Sequence, residues 1–241
     1  AEVGYVLTPR WSVYAGGDVR SRNHRDVKTA NYGTLDGRLG VGLNLGQHFL
    51  RMGAANGRFF LDRRAYRDTL GGNAEWRYQA NDRDQFTFNA QYTSFRLTQE
   101  ALQTSDFDQA MASLSWLHVL ASGSTLFALS VNAGDESPIG RRADGAARIN
   151  GARVFAQTAL TSQIGLFTSL GTQNTKYENV NDTFLLKRDD RLSDITIGLN
   201  WRIGKDWSIR PQATYMKNSA NIPLYSFTRS DVALNLRKEF H

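Results

Sequence analysis

The sequence of 241 residues has no cysteine, only four prolines and no long hydrophobic run. The lack of cysteine excludes a disulfide-bonded scaffold, a thiolate metal site and a cysteine nucleophile. No stretch approaches the roughly 18 consecutive apolar residues that a membrane-spanning helix needs. No segment has the spacing of a long amphipathic helix either. These absences favour a chain built from β-strands.

The composition permits a membrane protein of one particular kind. Hydrophobic residues make up 41% of the chain, aromatic residues 11%, and 21 residues are glycine. This is too polar for a helical membrane protein, but in a transmembrane barrel half of each strand faces a polar lumen and dilutes the average. The net charge of +6 indicates an anionic partner or a basic pore.

The end of the chain has the pattern of a terminal strand. From Val232 the apolar residues alternate with polar ones up to Phe240, and this period of two is typical of a strand with one apolar face. A soluble sandwich and an outer-membrane barrel both end in such strands. We take as the closing-strand signal Val232, Leu234, Leu236 and Phe240.

The connectors between the alternating segments favour the barrel. Short turns are predicted at 8–10, 46–47, 81–84, 121–123, 162–163 and 204–206. Longer polar connectors lie between them, at 21–30, 61–71, 98–106, 135–148, 174–190 and 218–225. An outer-membrane barrel shows this rhythm, with short periplasmic turns and longer outer loops. We therefore predict an all-β, antiparallel transmembrane barrel in the bacterial outer membrane.

The strand number follows less directly from the pattern. Twelve or thirteen segments are recognisable, since residues 2–8 resemble the end of a further strand. Bacterial single-chain barrels close with an even number of strands, so we expect fourteen in the intact protein. Residues 1–240 are interpreted as one barrel domain, and His241 as the remnant of a purification tag.

The last hairpin resembles a known family. Residues Lys217 to Phe240 are similar to the end of the surface lipoprotein assembly modulator (Slam, type XI secretion) proteins, through Asn221, Pro223, Leu224, Tyr225, Ser226, Arg229 and Phe240. A looser likeness covers the basic loop from Arg20 to Lys28 and the arginine-rich loop at 62–64. Only the final hairpin is specific.

The resemblance implies a barrel that moves client proteins to the cell surface. It also implies a periplasmic helical-repeat domain before the barrel, which this chain lacks. The expected partners are the bilayer and its outer-membrane lipids, the barrel assembly machinery, and a client that is a secreted protein or lipoprotein. We expect no nucleic-acid partner.

Charged residues stand opposite the apolar faces and are predicted to face the lumen. The candidates are Arg20, Asp36, Arg38, Arg51, Glu75, Arg77, Arg153, Asp194, Arg202, Arg210 and Arg237, with Asp18 and Glu239 beside them. Arginines outnumber acids, so we expect a lightly positive interior containing arginine–carboxylate pairs. Such pairs brace the interior, and a role in selectivity or client contact is the alternative.

Enzymatic, metal and cofactor sites are not predicted. No acidic partner and serine nucleophile are placed around His24, His48 or His118 in the manner of a triad. The acids of the longest connector alternate with basic residues and lack the spacing of a calcium loop. Gly16-Gly17 lies in a strand, so no nucleotide-binding loop is indicated.

Three functions remain compatible with the pattern. The leading prediction is a non-enzymatic translocator that assists export or surface display of a client. The alternatives are a passive or polysaccharide-conducting channel, and a structural barrel with binding loops. An aromatic interior would favour a sugar path, but here only Phe95 and Phe155 are predicted as isolated aromatic residues of the interior.

Overall fold

A computed structural model describes residues 2–23, 29, 31–204 and 206–238. These residues form one antiparallel sheet of thirteen strands, each hydrogen-bonded to its neighbours in chain order. The strands are β1 (Glu2–Val6), β2 (Trp11–Arg22), β3 (Tyr32–Leu45), β4 (His48–Leu61), β5 (Arg64–Gln79), β6 (Asp84–Leu97), β7 (Phe107–Val119), β8 (Thr125–Pro138), β9 (Ala147–Ala159), β10 (Ile164–Val180), β11 (Lys187–Ile203), β12 (Trp207–Ala220) and β13 (Phe227–Lys238).

The two faces of the sheet differ in polarity because side chains alternate along each strand. On β11 the apolar residues Ile195, Ile197, Leu199 and Trp201 are all exposed. In contrast, the hydrophobic side chains buried among the described residues are only Ala147, Ile149, Phe167 and Ile222. The sheet therefore surrounds a polar interior and presents its apolar face outward, where a bilayer would cover it.

The connectors define a short-turn end and a long-loop end of the sheet. Turns such as 46–47 and 160–163 lie at the first, and connectors such as 139–146 and 181–186 at the second. The strands extend further into the polar connectors than the alternation of apolar residues predicts. The β4–β5 hairpin closes on two residues, Asp62 and Arg63, which adopt positive φ angles of 48° and 63°, as a tight hairpin turn requires.

The first and last strands are paired on one side each. β1 makes five residue pairs with β2, from Glu2 opposite Gly16 to Val6 opposite Ser12. β13 pairs along its length with β12. No ladder joins β13 to β1 within the described residues. At the long-loop end, however, Arg22 Nη2 of β2 lies 3.8 Å from Asp231 Oδ1 of β13.

The closing-strand residues lie on the outer face of β13. Val232, Leu234 and Leu236 are 89%, 71% and 62% exposed, while Phe240 lies outside the described residues. Two short 3₁₀ helices, Glu100–Ser105 and Pro223–Tyr225, are found in long-loop connectors. Within the described chain, no helix is long and apolar enough to cross a membrane.

Candidate functional site

A cavity of about 1030 Å³ opens at the short-turn end of the interior and is called the vestibule here. Its walls come from β8–β13 and carry Arg202, Arg210 and Arg237, together with amides and with Asp206 of a turn. Arg202 and Arg237 occupy one cross-strand row, because each is paired with Ser208. Three of the predicted interior charges thus line one cavity.

Packing around one aromatic ring fixes Arg210 in the vestibule. Its guanidinium carbon lies 4.1 Å from the centre of the Phe167 ring, and Phe167 is 2% exposed. Gly198 makes this possible, since a Cβ there would lie 2.4 Å from a ring atom of Phe167. In the described part of the chain, neither Arg202 nor Arg210 has a carboxylate within 4 Å.

Deeper in the interior, Arg153 and Asp194 form an ion pair across β10. The two guanidinium nitrogens donate to both carboxylate oxygens at 2.8 and 2.7 Å, and one of them also donates to Ser169 Oγ at 2.8 Å. A bidentate arginine–carboxylate pair of this kind has high geometric specificity. Gly171 leaves the room for it, because a Cβ there would meet both partners.

A second charge cluster joins β1 to β4. Glu2 accepts hydrogen bonds from Arg38 Nε and Arg51 Nη2, both at 2.8 Å. Arg38 also contacts Asp18, and the Arg51 guanidinium lies 3.6 Å from the centre of the Tyr14 ring. These contacts tie the short first strand to three other strands.

The remaining predicted charges lie close to this cluster. Arg77 Nη2 donates to Glu75 Oε1 at 2.8 Å, and its guanidinium lies 5.5 Å from the Phe49 ring centre. Asp36 is placed opposite Asp18 and beside Gly57. Arg20 lies two residues further toward the long-loop end, opposite Thr34.

At the long-loop end, arginines and aromatic rings alternate around the inside of the sheet. We call this set the belt, and it comprises Tyr32, Phe59, Arg67, Phe95, Phe107, Arg142, Tyr177, Arg188, Tyr225 and Phe184. Neighbouring rings lie 4.6–6.5 Å apart. The guanidinium carbons lie 3.4–5.8 Å from the ring centres that flank them. The belt was not anticipated from the sequence.

One half of the belt is neutralised and buried. Arg188 lies 2.5 Å from Asp190 and 3.7 Å from Asp144, and Arg142 lies 2.9 Å from Glu136. Asp144 also accepts a hydrogen bond of 2.6 Å from Asn181 Nδ2. These groups, with the fully buried Ile222 and Ala147, form a packed cap at the ends of β8–β13.

The other half of the belt contains Arg67. Its guanidinium lies between the Phe59 and Phe95 rings, at 5.8 and 5.0 Å from their centres. Its buried Nε has no hydrogen-bond partner. In the described residues no carboxylate lies within ion-pair distance of Arg67, although Arg58 and Arg96 nearby on the outer face are paired with acids.

The sequence predicted Phe95 and Phe155 to be isolated aromatic residues of the interior, and this prediction is wrong. Phe95 stacks on Phe107 with the ring centres 4.6 Å apart, and Phe155 stacks on Phe167 at 6.4 Å. The partners were missed because cross-strand register, which sets these contacts, is not visible in a single strand's pattern.

Another missed residue is Asp84, on the outer face near the short-turn end. His118 Nδ1 lies 2.8 Å from Asp84 Oδ1, and Trp116 Nε1 donates to the same oxygen at 2.9 Å. The strand pattern alone did not indicate this acid beside His118. These contacts join two aromatic side chains of β7 to Asp84 at the start of β6. The described residues contain no group of three or more potential metal ligands.

Comparison with protein families gives one match. The family model described as surface lipoprotein assembly modifier matches residues 1–240. No curated protein matches the sequence.

Solved structures similar to this chain are outer-membrane barrels. The Pseudomonas putida toluene transporter TodX is 10% identical, with a TM-score of 0.54 over 99% of this chain and 80% of that one. A Pseudomonas aeruginosa FadL homologue is 12% identical, with a TM-score of 0.56 over 98% and 74%. The chain spans only 44% of the siderophore receptor PirA of P. aeruginosa, at 9% identity, 98% coverage of this chain and a TM-score of 0.50. At these identities the likeness concerns the fold alone.

Proposed function

Because the chain belongs to the surface lipoprotein assembly modifier family, a family of non-enzymatic outer-membrane barrels, we propose that it is the translocator domain through which a lipoprotein client reaches the cell surface. The family match across residues 1–240 is the observation that carries the proposal. The role of the interior residues in handling the client is part of the same proposal.

The geometry of the interior supports passage of an extended client. A barrel of about thirteen strands falls between the side-chain-filled eight-stranded barrels and the water-filled porins of about sixteen strands. The Arg153–Asp194 pair and the Glu2 cluster narrow it further. A folded protein would not fit, whereas an unfolded segment entering through the vestibule would meet amides and arginines rather than an apolar wall.

Surface labelling of the client tests the function. The full-length protein and a lipoprotein client would be produced together in a Gram-negative host, and surface exposure of the client measured with an impermeant label. We expect display with the full-length protein and none with the empty vector. Equal display in both would refute the translocator role.

The route is tested with two residues of β12. Ser208 lines the vestibule, whereas Ala213 does not and is exposed on the apolar face of the strand, opposite Val232. The chain has no cysteine, so Ser208→Cys and Ala213→Cys each introduce a single thiol for crosslinking to a client stalled in transit. We expect client adducts with Ser208→Cys alone. Normal display without any adduct at Ser208→Cys would place the route elsewhere.

A passive or polysaccharide-conducting channel is the competing function. Liposome-swelling assays with neutral sugars distinguish it, because a translocator braced by interior ion pairs should conduct them slowly. Rapid sugar uptake, together with client display that does not depend on the protein, would favour the channel.

A further inference from the structure

One cross-strand row of the interior carries two arginines without acidic partners. Arg20 on β2 is opposite Thr34 on β3, Thr34 is opposite Phe59 on β4, and Phe59 is opposite Arg67 on β5. We call these four residues the rim row. Neighbouring strands are about 4.8 Å apart, so the two arginines stand about 14 Å apart with the aromatic ring between them.

Two buried polar atoms of the rim row have no hydrogen-bond partner. They are Thr34 Oγ1 and Arg67 Nε. Buried polar groups are almost always hydrogen-bonded in proteins, and leaving one unpaired is costly. The other two such atoms in the described residues, Arg77 Nε and Arg142 Nη2, belong to arginines that are paired with acids. In the rim row both atoms flank one ring, and no acid of the described chain forms an ion pair with Arg67.

The charges nearby do not neutralise this row. Asp18 and Asp36 are one row closer to the short-turn end, and Asp18 is held by Arg38. Asp231 contacts Arg22 and Arg229 instead, and Asp106 accepts a hydrogen bond from the backbone of Leu97. Asp68 faces outward and is bound to Arg58. In the described part of the chain no carboxylate forms an ion pair with Arg20 or Arg67, so the row presents uncompensated positive charge to the interior.

A local distortion accompanies the site. The register between β4 and β5 shifts between Phe59 and Phe60, and the bulge leaves Tyr66 unpaired in the ladder. Tyr66 packs edge-on against Phe59 at 6.0 Å. Bulges re-aim side chains and are common beside binding sites.

We infer that the rim row binds carboxylates of an acidic, extended polypeptide segment, and that this segment belongs to the client in transit. The identity of the ligand rests on the proposed function, whereas binding itself does not. In an extended chain, residues four apart lie on one face about 13 Å apart. Two acidic side chains at that spacing would therefore reach Arg20 and Arg67.

The ring contacts argue against a sugar as the ligand. The faces of Phe59 and Phe95 are already contacted by Tyr32, Arg67 and Phe107. A sugar needs a free aromatic face, whereas a carboxylate needs the guanidinium edge. The interior position of the row also separates it from lipid phosphates, which would approach from the outer face.

Peptide binding to the purified barrel in detergent tests the inference. The probe is a fluorescent peptide containing Glu-Ala-Leu-Ala-Glu, and the comparison peptide carries lysine in place of both glutamates. We expect the acidic peptide to bind more tightly, with affinity that falls as salt increases. The double variant Arg20→Gln/Arg67→Gln should weaken binding about tenfold or more, since charge-assisted hydrogen bonds are lost.

Arg58→Gln is the matched control, because Arg58 is next to Phe59 but faces outward and pairs with Asp68. It should bind the acidic peptide as the unmodified barrel does. Equal binding of both peptides, or unchanged binding in the double variant, would overturn the inference. Stronger competition by lipopolysaccharide than by the acidic peptide would also overturn it and point to a phosphate ligand. The assay measures no export, so its failure leaves the client-display experiment independent.

Discussion

The cap and the rim row both contain arginines stacked on aromatic rings, but they differ in whether these arginines are paired with acids. In the cap, Arg142 and Arg188 are stacked on rings and also paired with acids, and their side chains are only 14% and 17% exposed. In the rim row, Arg67 is stacked on rings but no acid of the described residues pairs with it. A charge with its counter-ion holds elements together, whereas a charge without one remains available to a ligand.

The cap and the rim row also differ in the elements that build them. The cap ties two connectors together through the hydrogen bond of Asn181 to Asp144, and Arg188 of β11 lies beside Asp144. The rim row lies on four neighbouring strands, and the β4–β5 register shifts beside it. We therefore expect the cap to govern stability and the rim row to govern binding.

Removing one arginine from the cap and one from the rim row should give the largest difference in stability. Arg188→Ala leaves Asp190 and Asp144 buried without their partner, and should lower the free energy of unfolding by about 2–3 kcal/mol. Arg67→Ala loses only ring contacts and should cost less than about 1 kcal/mol. Urea unfolding in lipid vesicles measures both. Similar losses of stability in the two variants would mean that the cap and the rim row do not differ in their contribution to folding.

Two adjacent residues of β11 test whether the polar face of the sheet lies inside. Leu199 is 37% exposed on the apolar face, and its neighbour Asn200 lines the vestibule. Leu199→Arg should cost about 2–4 kcal/mol if the residue lies near the bilayer midplane, and Asn200→Arg close to nothing. The same unfolding titrations apply. Equal destabilisation would contradict the assignment of the faces.

Unpaired arginines should also influence ion passage. Conductance in planar bilayers is expected to favour anions slightly, because Arg202 and Arg210 line the vestibule without acidic partners in the described residues. Arg202→Gln/Arg210→Gln should reduce this preference, most clearly below about 0.1 M salt, where screening extends over roughly 10 Å or more. Cation selectivity of the unmodified barrel would contradict the predicted excess of interior positive charge.

How far the sequence predicts this molecule depends on the kind of contact. Strand faces follow from a period of two, so the outward positions of Ile195 and Leu199 were predictable. The polar ends of the strands were interpreted as connectors, because apolar alternation stops there although the ladder continues, as Lys176 opposite Asp189 shows. The family was recognised because its last hairpin has a specific motif.

Partners in the interior were beyond prediction from the pattern. Arg153 and Asp194 are separated by a whole strand, and the Phe95–Phe107 stack depends on the register of β6 and β7. A single residue's shift in register would exchange every partner. The residue types of the interior could be listed from the sequence, but which arginine has a counter-ion could not.

The smallest expected change in stability comes from adding a counter-ion to the rim row. This change also tests most directly whether the missing counter-ion distinguishes the rim row from the cap. Thr34→Asp places a carboxylate beside Arg20, at the position of the unpaired hydroxyl. Opposite charges directly across strands contribute about 0.2–1 kcal/mol, so the variant should be slightly more stable. It should also lose most of its affinity for the acidic peptide, because the added carboxylate competes with those of the peptide.

Thr34→Val is the control of nearly the same shape. It removes the unpaired hydroxyl without adding charge, and should weaken peptide binding only about threefold, as expected for one neutral hydrogen bond. Both variants are compared by urea unfolding and by peptide titration. If Thr34→Asp bound the acidic peptide as well as Thr34→Val does, the missing counter-ion would not be what distinguishes the rim row from the cap.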